Sequence, residues 1–289
     1  MANSYHRWNT YIGIIMEIAQ IEESIQYLKQ YIDDMPEIAI ILGSGLGPLA
    51  NELENKTIIN CSDIPNYPIS TVPDHAGIWV LGELNGIRLL VLKGRVHTYE
   101  GYSARRVTYS IRLMAKLGIR SLIITNAAGG INKNFKPGDL MIITDHINLM
   151  FDNPLIGDNQ VPASQRFVDL YNAYDKKYIE GALKIAKKLD IQIQTGILST
   201  AKGPTYETAA EVKMSRLLGA DAATMSTVPE VIAAKQDNVR TLGISCITNM
   251  ATGITNEKLN HEEVQETANR IKHQFIQLIK EIIKNINEW

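Results

Sequence analysis

Eight short runs rich in β-branched and aliphatic residues recur along the chain, at 37–42, 78–84, 87–92, 121–125, 139–144, 192–199, 222–225 and 239–248. Several, as at 38–42 and 89–92, are apolar at every position. A strand with one wet face alternates with period two, whereas a strand covered on both faces need not. Helical spacing fills the intervals. Residues 11–33 put Ile14, Ile18, Ile21, Ile25 and Leu28 on one stripe, and Met35-Pro36 ends that helix. Residues 103–117 carry Val107, Ile111, Met114 and Leu117 on one face, with Gly118 as the stop. Further helices are expected at about 172–189, at 208–218 and from Pro229. A last one is capped by Asn260 with Glu263 three residues into it, and continues through Val264, Ile271, Leu278 and Ile282. Asn85-Gly86 joins two of the strands as a hairpin. This alternation implies one α/β domain with a mixed sheet and helices on both faces. We place it at 25–289, preceded by a helical extension at 1–24. Neither repeats nor a low-complexity linker interrupt it.

Candidate chemistry collects where the strands end. After 87–92 the chain reads KGRVHTYEGY, which presents Arg95, His97, Tyr99 and Glu100 in a short span. If that strand continues, Arg95, His97 and Tyr99 share one side and offer a cation, a switchable donor and a phenol. Such a set suits an anion beside a sugar. A solvated strand end explains the same residues. GSGLG at 43–47 follows the first strand, but a dinucleotide fingerprint would need glycine where Pro48 stands. A loop whose backbone N–H groups approach an anion, with Ser44 beside them, and a tight strand-to-helix turn both remain. Residues 63–77 form a proline-rich loop carrying His75, and 150–168 form a long polar loop closed by Arg166-Phe167. Asn126-Ala127, Glu207, Ser226 and Asn249 also follow strands. Ligands in α/β sheets gather at strand carboxyl ends, so these positions argue for one composite site.

Other classes are disfavoured. The net charge of -2 gives no broad case for nucleic acid or anionic membrane. The two cysteines, Cys61 and Cys246, form no zinc spacing or disulfide framework and fit a reducing, cytoplasmic setting. The six histidines include no HExxH, because Gln265 stands where the second histidine belongs. No apolar run reaches the ~20 residues of a membrane helix, and no signal peptide is read. GxSxG is absent, and neither cysteine has an evident histidine partner. A site with arginine, histidine and serines but no protein nucleophile suggests that a substrate attacks, and an inorganic oxyanion fits.

ILGSGLG, STVPDHAG, KGRVHTYEGY, TNAAGGIN, DHINL, KGPTYET, MSTVPE, CITNMATG and NHEEV occur in that order. Together they resemble the trimeric purine nucleoside phosphorylase family, from about residue 25 to the C-terminus. The resemblance implies a phosphorylase-like fold, a homotrimer without metal or organic cofactor, and phosphate as co-substrate. It implies reversible phosphorolysis of purine nucleosides to free base and (deoxy)ribose 1-phosphate. Ser44, Arg95, His97, Ser226 and the backbone of Ala127 would bind phosphate, with His75 closing over it. Tyr99 and Met225 would line the ribose, and His261 would hold the 5′-hydroxyl. Glu207 and Asn249 would read the purine, with Tyr206 packed on base and sugar and Phe167 reaching the neighbouring subunit's site. Asn249, Glu207 and His97 are the expected catalytic residues. An ionised Glu207 accepts N1–H of a 6-oxopurine but faces a lone pair in adenine, which favours inosine and guanosine. Aspartate replaces Asn249 in the related methylthioadenosine phosphorylases. Three departures stand out: Asp74 for glycine, Tyr206 for phenylalanine and Thr224 for glycine. They leave open a shift toward xanthosine or methylthioadenosine, or a catalytically weak purine-binding protein.

Overall fold

The computed structural model describes residues 16–72, 77–157, 166–255 and 261–289, with the backbone alone for 261–265. Its strands are β1 Ile38–Leu42, β2 Glu54–Asn60, β3 Ile78–Leu84, β4 Ile87–Lys93, β5 Ser121–Gly130, β6 Leu140–Asn148, β7 Ile193–Thr200, β8 Ala222–Thr224 and β9 Arg240–Met250. They form one mixed sheet in the order β2-β3-β4-β1-β5-β8-β7-β6-β9. Because β9 also pairs with β5, the last five strands of that order close into a ring. The helices are α1 (16–28), α2 Ala104–Val107, α3 Tyr109–Leu117, α4 Lys176–Lys188, α5 Ala209–Leu217, α6 Val228–Gln236 and α7 His261–Asn285.

The unbroken apolar character of β1 has the expected cause. Ala39 and Ile41 enter one buried cluster, and Ile38, Ile40 and Leu42 enter another on the opposite face. The first cluster holds Ile21, Ile25 and Leu28 of α1, Leu113 of α3 and Val231 of α6. The second holds Tyr178 and Ala182 of α4 with Phe275, Leu278 and Ile282 of α7. Helix α1 crosses residue 24 without a break. It is pinned where the Ser24 hydroxyl meets the Tyr109 hydroxyl at 2.7 Å and where Arg105 pairs with Glu17 at 2.6 Å.

Several local expectations need correction. Strand β2 was not anticipated, because only Ile58 and Ile59 give it apolar character and Ile59 alone is buried among its seven residues. The helix expected over 103–117 is two helices, since Thr108 leaves helical geometry and its hydroxyl bonds the Arg105 carbonyl at 2.9 Å. Strands β5 and β9 run on through Gly130 and Met250, past their expected ends, because they pair with each other there. That pairing shifts register by one residue, with Ala128 opposite Ile247 but Gly129 opposite Asn249. The bulge falls at Thr248. The proposed cap at Asn260 and the side chain of Glu263 lie outside the described residues.

Candidate active site

The ends of β1, β4, β5, β8 and β9 and the loop after β7 surround one cavity of about 320 Å³. Its lining includes Ser44, Arg95, His97, Tyr99, Ala127 and Ser226, together with Tyr206, Glu207, Met225 and Asn249. The composite site expected from the strand ends is therefore assembled. Arg95, His97 and Tyr99 share it by another route than expected: β4 stops at Lys93, Gly94 turns at φ 89°, and Thr98–Glu100 form a short 3-10 turn. Phe167 does not line the cavity of its own chain and is 87% exposed. His75 and Asp74 lie outside the described residues, as does the side chain of His261, whose backbone begins α7.

Arg95 is the most constrained member. Nη1 donates to Ser226 Oγ at 3.1 Å and to Thr227 Oγ1 at 3.2 Å, and lies 3.4 Å from Glu230 Oε2. Nη2 donates to the Thr125 carbonyl. The two charged side chains of this pair are 3% and 5% exposed, so each depends on the other for compensation. Thr227 stands at φ 75°, an uncommon backbone conformation for a β-branched residue. It is held there by Asn126 Nδ2 at 2.9 Å and by the Glu230 carboxylate, which accepts its backbone N–H at 2.8 Å. Thr227 and Glu230 stand as the N-cap and N3 residues of the capping box of α6. Gly43 has to be glycine because a Cβ there would lie 2.7 Å from the Asn126 Cα. That contact seats the end of β1 directly against β5.

His97 is oriented by Glu100. One carboxylate oxygen accepts the His97 backbone N–H at 2.7 Å and lies 3.2 Å from Nδ1. A carboxylate can only accept, so Nδ1 is the nitrogen that donates in that bond, which fixes the orientation of the ring. The ring stacks on Tyr99, with centroids 4.6 Å apart. The second Glu100 oxygen accepts from Thr71 N, Thr71 Oγ1 and Ser70 Oγ. Burial alone would raise the Glu100 pKa, but the His97 ring and the Thr71 and His97 N–H groups outweigh it and hold it at about 2.

The second group is less crowded. Burial pushes the Glu207 carboxyl above its ordinary value, with Glu211 adding repulsion and the residue's own backbone N–H opposing both. Asn249 Oδ1 accepts from Thr248 Oγ1 at 2.9 Å, and Nδ2 donates to the Met250 carbonyl at 3.1 Å. An amide nitrogen carries two protons, so this arrangement leaves Nδ2 able to donate once more. Met225 packs so closely on Gly203 that a Cβ there would lie 2.4 Å from its sulfur. Tyr206 is 44% exposed. Thr224 is buried and turns its hydroxyl to the Ala127 carbonyl at 3.2 Å.

Nothing in the sequence marks Thr227, Glu230 or Thr248 as part of the site, and Asn126 is marked only by its place after a strand. The T-x-x-E spacing at 227–230 was available as a capping signal, but nothing in it marks Glu230 as the buried partner of an arginine 135 residues away. Glu100 was visible in its motif without a role. Among the described residues, no group of three or more His, Cys, Asp or Glu is placed to hold a metal ion.

A mixed sheet closing on itself, with six chain segments converging on one cavity, defines a class. Residues 37–284 match the model of the phosphorylase superfamily. The chain is 51% identical over 264 residues to purine nucleoside phosphorylase 1 of Bacillus subtilis, covering 91% of this chain and 97% of that protein. It is 41% identical to bovine purine nucleoside phosphorylase, covering 92% and 94%. Isoform 2 of the Schistosoma mansoni enzyme, solved in complex with cytosine and ribose-1-phosphate, superposes with a TM-score of 0.85 at 40% identity, covering 92% and 95%. The chain belongs to the phosphorylase superfamily and, within it, to the purine nucleoside phosphorylase family. No helix among the described residues is long and apolar enough to cross a membrane.

Proposed function

We propose that the chain catalyses reversible phosphorolysis of 6-oxopurine (deoxy)ribonucleosides such as inosine and guanosine. The observation that carries this reading is a single cavity with a cationic, hydroxyl-rich wall at Arg95, His97 and Ser226 and an acceptor–donor pair at Glu207 and Asn249. Arg95, His97, Ser44, Ser226, His75 and the Ala127 backbone hold phosphate. Tyr99 and Met225 border the ribose, Tyr206 packs on base and sugar, and His261 takes the 5′-hydroxyl. A phosphate oxygen forms the new bond to C1′ as the bond from C1′ to N9 breaks and its electron pair leaves with the purine. Positive charge on the sugar is stabilised by the phosphate anion. Negative charge on the purine is stabilised by the Asn249 amide at N7, in the manner of an oxyanion donor. Glu207 accepts N1–H when ionised. Phosphate enters as co-substrate, without a metal or organic cofactor.

The family relatives support this reading, as does the ribose-1-phosphate bound by the Schistosoma neighbour. Residues 25–289 act as the catalytic domain, and the protein works in the cytoplasm, a setting that two free, buried cysteines suit. It self-associates as a homotrimer in which Phe167 reaches the neighbouring cavity. The exposure of Phe167 together with Phe151, Ile156 and Tyr171 supports that assembly. The test is release of hypoxanthine from inosine with and without phosphate. Release that requires phosphate and yields ribose 1-phosphate is expected, and equal release without phosphate overturns the mechanism.

A further inference from the structure

We infer that Thr224 is a positioning residue for the phosphate side of the cavity, acting through the Ser226 hydroxyl and the Ala127 backbone. This rests on the reading of Ser226 and Ala127 as phosphate ligands. Thr224 lines the cavity at 7% exposure, and its Oγ1 lies 3.2 Å from the Ala127 carbonyl and 3.4 Å from Ser226 Oγ. A threonine hydroxyl has one proton to give. The Ala127 carbonyl has none, so Thr224 donates there and turns its lone pairs toward Ser226.

The Ser226 hydroxyl oxygen already accepts from Arg95 Nη1 at 3.1 Å. Its own proton has two protein oxygens in reach, Thr224 Oγ1 at 3.4 Å and Thr227 Oγ1 at 3.3 Å. Thr227 is a poor destination. Its oxygen takes Asn126 Nδ2 at 2.9 Å and Arg95 Nη1 at 3.2 Å. These two donors fill the two lone pairs of a hydroxyl. The Ser226 proton therefore rests on Thr224 through a long, weak bond and passes to a bound oxyanion at little cost. The same threonine fixes the Ala127 carbonyl, and with it the peptide chain that carries the Ala127 N–H. One side chain thus sets two phosphate donors on different strands, β5 and the end of β8.

The separating variants are Thr224→Val, which keeps shape and loses the hydroxyl, and Thr224→Ser, which keeps the hydroxyl and loses the methyl. Steady-state kinetics would vary phosphate at saturating inosine, then inosine at saturating phosphate. Calorimetry with inorganic phosphate alone would measure binding without turnover. Thr224→Val is expected to raise the KM and Kd for phosphate by about three- to tenfold, with the KM for inosine changed by less than about twofold. Thr224→Ser is expected to restore phosphate affinity toward the wild-type value. Equal behaviour of the two variants, or a change confined to the inosine KM, overturns the inference and makes Thr224 a steric wall. If Thr224→Val does not fold, loss of phosphate affinity in Thr224→Ser overturns it instead. Wild-type protein that binds phosphate but releases base without it would sink the phosphorolysis reading while leaving the binding comparison intact.

Discussion

Around Arg95, oxygens from Ser226, Thr227, Glu230 and Thr125 meet one guanidinium, and every side chain among them is buried or partly so. Around Glu207, among the described residues, it is the residue's own backbone N–H that favours its charged form, and the adjoining Tyr206 is 44% exposed. The difference between the two groups fits the two ligands proposed for the cavity. A small oxyanion carries full charge and needs donors fixed in advance, since each buried polar group left unmatched is costly. A purine brings a broad apolar face and its own edge donors, so a few placed polar groups on a looser wall are enough. The difference teaches that stability and chemistry are entangled at the first wall and nearly separable at the second.

Breaking the first wall should have the largest effect. Arg95→Met is expected to cost about 3–5 kcal/mol of unfolding free energy, because Glu230 is then left buried without its partner. Adding Glu230→Leu should recover most of that stability in chemical denaturation without recovering phosphorolysis. If the double variant regains activity, Arg95 is structural and the contrast between the walls fails. At the second wall, Asn249→Ala should lower kcat for inosine about 100- to 1000-fold while the denaturation midpoint stays near that of the wild type. Asn249→Asp should raise adenosine turnover relative to inosine, and an unchanged ratio would remove Asn249 from base reading.

The smallest effect is a pH shift. Burial raises the Glu207 pKa, so its carboxylate is lost at a higher pH than an ordinary glutamate's. As pH falls through that raised value, the N1–H acceptor becomes a donor. The kcat/KM for inosine should therefore decline on the acid side above about pH 4.3, and the adenosine-to-inosine ratio should rise. Glu207→Gln should flatten this limb, and a limb that persists in the variant assigns it elsewhere.

The sheet was legible because burial on both faces leaves a signature that survives without neighbours, as at 38–42. Strand β2 was not, since five of its seven residues face water and its pairing with β3 is what makes it a strand. The candidate ligands were legible as polar residues after strands. Their mutual geometry was not: Arg95 and Glu230 are brought together by sheet order, and spacing along the chain carries no trace of it. Glu100 shows the same limit locally. Its motif was visible, but its grip on Ser70 and Thr71 depends on a loop that only the folded chain brings near.

The bulge at Thr248 has a consequence of a different kind. Upstream, β9 is keyed to the core by Ile247, and downstream it must deliver Asn249 to the cavity. The unpaired residue between them works as a spacer that lets each end keep its own phase. In a strand, removing one residue reverses which way everything beyond it points. The delivery of Asn249 is thus stored as a residue count as well as a set of identities, and the position could change its letter more safely than it could vanish.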